Sequence, residues 1–373
     1  GRCAAGPRAA TGRGGHDVRR AGEPSRARST LRPGARTAFA RGAAGRRPDG
    51  RLPDDHAASH RPLADVSLRT FGAVRSRTYD IRNTLIVAST GRGGSTWLTE
   101  ILATLPGYTV LWEPLHLGNN PGCKQHGFDW QNYVPQGAKS PRKKAYLQKL
   151  LTGSNLSTRV LTSLEFRPFR LLHPRGGYLV KFVNANMMLP WLMEEFPVSG
   201  VLMIRHPCGV VASQLNHGAW DHVTKENMTI PAGLFERHPH LSEVFDDIDS
   251  HEEVLAFEWA LQTYIPLNVP GPPPWFLTTY EDLVVNGPST IEEIFEYLGR
   301  GVPEAAFDQL STPSATASSH LKESKGPEQL RTWRERLSTE QIDRILRVVH
   351  NVGIKCYDNS LLPKRDALAQ LSY

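Results

Sequence analysis

The chain has 373 residues, of which 39% are hydrophobic and 8% aromatic, enough apolar material for one large core or two small ones. Its longest apolar runs are far shorter than the 18 residues that a membrane-spanning helix needs. The four cysteines are scattered and form no CxxC pair, which argues against a disulfide-dense scaffold or a structural zinc site.

The net charge of +7 comes from the N-terminal part alone. Residues 1–78 contain 17 arginines, no lysine and six acidic residues, whereas residues 79–373 contain 27 basic and 31 acidic residues. This distribution excludes a basic nucleic-acid-binding domain over residues 79–373. Because residues 1–78 are rich in Arg, Ala, Gly and Pro, we predict that they are disordered. They are either a targeting or polyanion-binding arm or an extension without function.

From residue 79 onward, strand and helix signals alternate. Apolar runs predict strands at 84–89, 108–112, 178–183, 200–204 and 275–279. Helical periodicity predicts helices at 95–104, 186–196, 207–216, 252–266, 288–298 and 338–350. Residues 114–158, rich in Gly, Pro and Lys, are predicted to form an irregular insertion beside an active site. The alternation predicts one α/β domain over 79–373, a three-layer, P-loop-like fold with a mainly parallel central sheet flanked by helices.

A glycine-rich segment, STGRGGSTW at residues 89–97, joins the first predicted strand to the first predicted helix. Such a turn directs backbone N–H groups and the positive end of the helix dipole at one point, which favours a bound phosphate. Compared with the nucleoside-triphosphate loop GxxxxGK[ST], Ser95 replaces the lysine and Thr96 takes the hydroxyl position. A loop without lysine is poorly suited to β- and γ-phosphates with magnesium, and Arg92 is its one cation. An ordinary turn with glycines for close packing is the alternative.

A second anion-binding pattern lies near the middle of the chain. Arg205 ends a predicted strand, and Ser213 follows eight residues later on the next predicted helix. A guanidinium at a strand end and a hydroxyl about two turns along the helix can converge on one phosphate. Arg-His-Pro by itself is equally typical of a helix start. By itself this pattern would be taken as a helix start, but beside the glycine-rich loop the anion-binding interpretation is favoured.

With these two patterns, the sequence resembles the PAPS-dependent sulfotransferases, whose donor is 3′-phosphoadenosine 5′-phosphosulfate (PAPS). Their first motif, [KR]-S-G-[ST]-[ST], matches residues 92–96 except that glycine replaces the usual serine at position 93. The resemblance implies that this loop binds the 5′-phosphosulfate and that the Arg205 pattern binds the 3′-phosphate. Residues 279–283 resemble a further family segment of structural character, and the region 325–334 resembles a loop over the nucleotide. The implied donor-binding residues are Arg92, Gly93, Gly94, Ser95, Thr96, Trp97, Arg205, Ser213, Lys325 and Gly326.

Sulfuryl transfer needs a base for the acceptor hydroxyl, which typically contributes about 10²–10⁴-fold, and cations for the leaving phosphate. The sequence WEPLH at 112–116 resembles the F-E-P-L of the glycan-modifying branch, and Glu113 follows a predicted parallel strand. We predict that Glu113 is the base, that Arg92 stabilises the departing phosphate and that Lys181 is a second cation. His116 is an alternative base, and purely structural roles for Glu113 and Lys181 stay open. No metal is expected, because these fixed cations take its role.

The acceptor is expected to be a hydroxyl-bearing molecule, most readily a carbohydrate. Trp130, Tyr133 and the basic run at 142–144 in the insertion suit a sugar, including an anionic one, or they cover a small core within the insertion. A nucleotide kinase or NTPase with an altered loop, and a non-catalytic nucleotide-binding relative, stay open as alternatives. Glycosylation sequons at Asn155 and Asn227 matter only in a secretory lumen. A Golgi enzyme without its anchor and a soluble cytoplasmic enzyme are both compatible with the sequence, and nothing indicates the oligomeric state.

Overall fold

A computed structural model describes residues 76–157, 160–161, 176–316 and 326–369, together with residues 65, 66, 68, 70, 72 and 74. Of the N-terminal segment that we predict to be disordered, residues 1–64 lie outside the described residues. The described positions between 65 and 74 are helical, and Leu68 is buried within the main core. Packing of the folded domain therefore reaches upstream of the predicted boundary at residue 79.

A five-stranded sheet lies at the centre of the fold, with strand order β2-β3-β1-β4-β5. All pairings between these strands are parallel. Continuous apolar runs were the signal for them, because a parallel strand covered on both faces has no polar side to alternate with. Each strand begins and ends within one residue of its predicted bounds. The strands are β1 (Leu85–Ala88), β2 (Tyr108–Trp112), β3 (Gly177–Phe182), β4 (Ser199–Ile204) and β5 (Phe276–Thr279).

Helices pack on both faces of the sheet. In chain order they are α1 (Ser95–Leu102), α2 (Pro141–Leu151), α3 (Leu189–Glu195), α4 (Pro207–Leu215), α5 (Leu234–Arg237), α6 (Pro239–Asp247), α7 (His251–Leu267), α8 (Tyr280–Val285), α9 (Gly287–Tyr297), α10 (Glu304–Leu310), α11 (Thr332–Arg336), α12 (Thr339–Val352) and α13 (Arg365–Ala369). Short 3₁₀ helices lie at Ile81–Asn83, Pro121–His126, Asn186–Met188 and Gly326–Leu330.

The side chains of β1 show how the layers are built. Leu85 and Val87 face a core that α1 and α9 line, whereas Ile86 and Ala88 face a larger core formed with α4, α7 and α12. Alternate residues of a strand point to opposite faces, so both faces of the sheet are buried. The predicted fold class, a three-layer α/β fold with a parallel central sheet flanked by helices, is confirmed.

The prediction that residues 114–158 are irregular is wrong in part, because they contain α2. Its proline at the helix start and its buried face, formed by Tyr146, Leu147, Leu150 and Leu151, are typical of an amphipathic helix. The basic run at 142–144 hid this periodicity, since it makes the first turn strongly polar. The short helices α5, α6, α8, α10, α11 and α13 were not predicted either. Helices of this length depend on tertiary packing more than on their own sequence.

The sequence argues against a membrane-spanning helix, a disulfide-dense scaffold and a structural zinc site. No helix in the described part of the chain is both long and apolar enough to cross a membrane. The cysteines in those residues, Cys123, Cys208 and Cys356, are buried with free thiols. Within the same ranges, no group of three or more His, Cys, Asp or Glu side chains is arranged to hold a metal ion.

Candidate active site

The neighbouring strands β1 and β4 end at a crevice in the carboxyl edge of the sheet. The chain leaves β1 towards β2 on one side of the sheet and leaves β4 towards β5 on the other. Ligands of open α/β sheets bind at such a switch point, because the diverging connections leave space between the strand ends. The glycine-rich loop follows β1 directly, and Arg205 follows β4. The fold thus brings together two predicted ligand-binding patterns whose arginines, Arg92 and Arg205, are 113 positions apart in the sequence.

The loop after β1 leads into α1 through two glycines that have no room for a side chain. Gly94 is the residue before the helix, with a φ of 100°, and a Cβ there would lie 2.6 Å from the ring of Tyr280. A Cβ on Gly93 would lie 2.3 Å from Ser89 Oγ. A side chain at position 93 would therefore collide with Ser89 and Thr90. No side chain caps α1, so the first-turn N–H groups of Ser95 and Thr96 keep their capacity to bind an anion.

Two hydroxyl groups at the start of this loop were not predicted as site residues. Ser89 and Thr90 are buried, and neither hydroxyl has a hydrogen-bond partner in the described part of the chain. Both lie against the position that a Cβ on Gly93 would take. Buried polar groups are nearly always hydrogen-bonded, so these two hydroxyls are available to a ligand at the glycine-rich loop. Their place directly after a strand was the signal that could have identified them.

Arg92 is held in the loop in a left-handed backbone conformation, with a φ of 70°. Its Nε donates to Ser213 Oγ at 3.0 Å, and its Nη2 donates to the carbonyl of Thr316 at 3.3 Å. Burial and, to a smaller extent, the nearby positive charge of Arg205 together lower the pKa of Arg92 to about 10. The predicted residues Arg92 and Ser213 are therefore in direct contact.

Arg205 is 7% exposed and lies under the same loop. Its Nη1 donates to the carbonyl of Arg92 at 3.1 Å, and its guanidinium lies 4.2 Å above the ring of Tyr280. Neither Arg92 nor Arg205 takes part in any ion pair among the residues that the structure describes. The two guanidinium groups lie close enough for the positive charge of Arg205 to lower the pKa of Arg92, so this crevice favours a bound anion.

The backbone next to Arg205 is held by the buried carboxyl of Glu281, which lies on α8, the helix directly after β5. Glu281 accepts hydrogen bonds from the backbone N–H of His206 at 3.0 Å and from the hydroxyl of Tyr357 at 3.1 Å. Burial raises the pKa of Glu281 to about 7. The ring of His206 stacks on Trp333 at 4.7 Å, and burial lowers the pKa of His206 to about 4. The segment 279–283 therefore has a structural role, as the sequence suggested, although its tyrosine also lines the crevice.

The other predicted donor-binding residues differ in how directly they reach the crevice. Trp97 packs beside the loop. Its Nε1 donates to the carbonyl of Gln309 at 3.4 Å, and the centroid of its ring lies 5.6 Å from that of Tyr280. Gly326 begins a 3₁₀ helix whose Gln329 accepts a hydrogen bond from the Tyr280 hydroxyl at 2.8 Å. This helix therefore lies beside the crevice. Lys325 lies outside the described residues.

Glu113 and Lys181 form an ion pair at the carboxyl ends of the neighbouring strands β2 and β3. Lys181 is 2% exposed, and its ammonium lies 3.9 Å above the ring of Trp112. Glu113 has a φ of 43°, and among the described residues it shares a left-handed backbone with only one other non-glycine residue, Arg92. Such strain is of order 1–3 kcal/mol and clusters at functional sites. It falls here on two residues that the sequence predicts to be catalytic.

His116, the alternative base, belongs to the turn that Glu113 begins. Its backbone N–H donates to the carbonyl of Glu113 at 3.0 Å. The imidazole lies edge-on to the ring of Trp130, with 4.9 Å between ring centroids. Trp130 is 46% exposed, so an aromatic surface is accessible close to the Glu113 turn.

A further carboxyl, Glu100 of α1, is near Lys181 and was not predicted. Its Oε1 accepts from the backbone N–H of Ala315 at 3.1 Å, while Oε2 is buried with no partner in the described part of the chain. Burial raises the pKa of Glu100 to about 7, and the positive charge of Lys181 acts in the opposite direction. Its position as the one charged residue of α1 was the signal that could have identified it.

Among known proteins, the chain matches solved structures. No family model and no curated protein matches the chain. It is similar to the sulfotransferase domain of the Synechococcus PCC 7002 olefin synthase, at 16% identity and a TM-score of 0.42, over 76% of this chain and 98% of that domain. It is also similar to the sulfotransferase domain of the curacin biosynthetic pathway, at 16% identity, a TM-score of 0.39 and coverage of 73% and 97%. A mouse sulfotransferase in complex with PAP has 12% identity, a TM-score of 0.39 and coverage of 83% and 94%.

Proposed function

We propose that this protein transfers a sulfuryl group from PAPS to a hydroxyl group of an acceptor. The observation that carries the proposal is the pair of guanidinium groups of Arg92 and Arg205, which adjoin at the switch point without a carboxylate partner among the described residues. Two cationic groups at one crevice suit a nucleotide that carries charge at two separate positions, as PAPS does with its 5′-phosphosulfate and its 3′-phosphate.

The residues present fit this donor. The uncapped first turn of α1, the free hydroxyls of Ser89 and Thr90, and Arg92 form the side that suits the phosphosulfate. Arg205 and Ser213, which come from β4's end and from α4, form the side that suits the 3′-phosphate. The hydrogen bond from Arg92 to Ser213 makes the two sides continuous, so a single nucleotide can span them.

The chemical step assigns one role to each charged residue. The acceptor oxygen attacks sulfur, the bond between sulfur and the bridging phosphate oxygen breaks, and its electron pair stays on that phosphate. The proton of the acceptor hydroxyl passes to the carboxylate of Glu113. Arg92 stabilises the negative charge on the departing phosphate. Lys181 holds the Glu113 carboxylate at the end of β2 and adds a second positive charge beside the reacting groups.

A carbohydrate is the acceptor class that we propose. The exposed ring of Trp130 near the Glu113 turn suits the apolar face of a sugar ring. The basic run at 142–144 gives less support for an anionic sugar. Lys144 pairs with Glu195, and Lys143 lies 5.6 Å above the ring of Phe128, so two of its three charges are engaged within the protein.

Calorimetric titration tests the donor assignment. PAP and ATP are titrated separately, each with and without magnesium, into the wild type, Arg205→Ala and the control Arg142→Ala, an exposed arginine on α2. We expect PAP to bind without magnesium and more tightly than ATP, to lose its affinity in Arg205→Ala and to keep it in Arg142→Ala. Tighter, magnesium-dependent binding of ATP would instead favour the kinase or NTPase alternative. If the protein binds PAP but never turns PAPS over, the non-catalytic nucleotide-binding alternative is favoured.

A further inference from the structure

We propose that Asn184 is a specificity residue on the acceptor side, whose side-chain oxygen accepts a hydrogen bond from a second hydroxyl group of the acceptor. The acceptor is then a polyhydroxyl compound rather than an isolated alcohol. This inference rests on the proposed sulfuryl transfer, because it concerns the molecule that receives the sulfuryl group. Asn184 lies two residues beyond the end of β3, at the same edge of the sheet as the Glu113–Lys181 pair.

The position of Asn184 relative to Glu113 follows from one hydrogen bond. Asn184 Nδ2 donates to the carbonyl of Leu115 at 3.2 Å, and Leu115 is two residues beyond Glu113. Two residues of chain span at most about 7 Å. The amide of Asn184 therefore contacts the turn that begins at Glu113, and we place it on the acceptor side of the proposed site.

The same hydrogen bond determines which way the amide points. A backbone carbonyl can only accept, so the NH₂ group of Asn184 must face Leu115 and the oxygen must face away from it. Asn184 is 7% exposed, and its Oδ1 is buried with no donor in the described part of the chain. A buried oxygen without a donor is rare in folded proteins, so this one indicates a ligand that donates.

Neighbouring side chains repeat this pattern. Asn186 is 1% exposed, and its Oδ1 has no donor among the described residues. Gln262 lies on α7, which packs against the 3₁₀ helix containing Asn186, and its Oε1 also has no donor there. All three side chains are uncharged amides, and each has an oxygen that can accept a hydrogen bond, which suits the hydroxyl groups of a neutral polyol.

The insertion holds this region in place. Asn132 Nδ2 donates to the backbone carbonyl of Asn184 at 3.1 Å and to that of Asp129 at 2.7 Å. Trp130 lies between these two insertion residues in sequence and is exposed beside His116. The insertion therefore joins an accessible aromatic ring to the buried amides, an arrangement that suits one face and one edge of a sugar ring.

Two small alcohols test the role of Asn184. Transfer of ³⁵S from labelled PAPS is measured with cyclohexanol and with cis-cyclohexane-1,2-diol, which differ by one hydroxyl group. The variants are Asn184→Leu, which has a similar size and no acceptor, and the control Asn351→Leu on the exposed side of α12. PAP affinity and the midpoint of urea unfolding are measured for each protein. If Asn184→Leu does not fold, Asn184→Ser takes its place, because its hydroxyl is too short to reach both Leu115 and the acceptor.

We expect the wild type and Asn351→Leu to prefer the diol by at least about tenfold in kcat/KM. In Asn184→Leu the preference should fall to the statistical factor for two equivalent hydroxyl groups, while PAP affinity stays unchanged. If both alcohols are sulfated and the preference for the diol is the same in Asn184→Leu as in the wild type, this inference is overturned and the proposed function stands. PAP binding without PAPS-dependent transfer to either alcohol contradicts the proposed function, and the inference with it.

Discussion

Glu113 lies in the left-handed region of backbone conformation, with a φ of 43°, which glycine adopts without strain. Glu113→Gly should therefore be more stable than Glu113→Ala, the reverse of the order at ordinary positions. Both variants leave Lys181 without its carboxylate partner, and this buried ion pair is expensive to break on one side only. Because that loss is common to both, their difference reports the backbone at residue 113 alone.

The expected difference follows from two opposing contributions to the free energy of unfolding. A left-handed backbone costs a residue with a Cβ about 1–2 kcal/mol. Glycine loses about 0.5–1 kcal/mol more than alanine through the entropy of its unfolded chain. We therefore expect Glu113→Gly to exceed Glu113→Ala in stability by about 0.8 kcal/mol, within bounds of about 0 and 1.5 kcal/mol. At Glu293, an exposed position inside α9, the same pair of substitutions should favour alanine by about 0.5–1 kcal/mol.

Urea unfolding of the four variants measures these differences directly. Turnover should fall by about 10²–10⁴-fold in both Glu113 variants, because neither has a base at this position, while PAP affinity should stay near that of the wild type. If Glu113→Ala is more stable than Glu113→Gly by the same margin as at position 293, the backbone at this turn is not strained. If either variant keeps its turnover, Glu113 is not the base and His116 becomes the candidate.

Gly93→Ala should weaken PAP binding, because its Cβ would lie 2.3 Å from Ser89 Oγ. The control Gly301→Ala should bind PAP like the wild type, because its Cβ would have no atom within 4 Å. Calorimetric titration compares the two variants, and equal affinities would show that the loop has room for a side chain at position 93. Since burial raises the pKa of Glu100 from 4.5 to about 7, its contribution to stability is full below pH 4.5 and is lost as the pH rises to about 7. Glu100→Gln should therefore gain up to about 3 kcal/mol over the wild type at about pH 8 in urea unfolding, and a gain that does not vary with pH would contradict the assigned pKa. Arg205→Met should keep the thermal stability of the unliganded protein, because the repulsion from Arg92 that it removes offsets the attraction to Glu281 that it loses, and a marked loss would show that the attraction to Glu281 dominates.

The strands and the two arginine patterns were accessible to sequence reasoning because their signals are local. A strand buried on both faces is a continuous apolar run, and each of the five was predicted to within one residue. The spacing between Arg205 and Ser213 is set by a strand end and two turns of helix, so it can be read within one short segment. The helix α2 was missed because its basic first turn obscured the apolar face that packing completes.

Ser89, Glu100 and Asn184 show what local signals do not contain. Each is an ordinary polar residue whose significance comes from burial beside groups distant in the sequence. Glu100 meets the backbone of Ala315, 215 positions away, and Asn184 meets that of Leu115, 69 positions away. Which atoms of these side chains lack a partner depends on all their neighbours at once, so a sequence window cannot reveal it.

By itself, the sequence determined the α/β class, the bounds of the strands and the glycine-rich loop that follows β1, because each depends on residues adjacent along the chain. Only the tertiary structure decided that β1 lies beside β4 and β3 beside β2. That order places Arg92 against Arg205 and Glu113 against Lys181. Strand order is selected by the burial of apolar faces against helices far away in the sequence, and this long-range packing is what turns two separate patterns into one crevice.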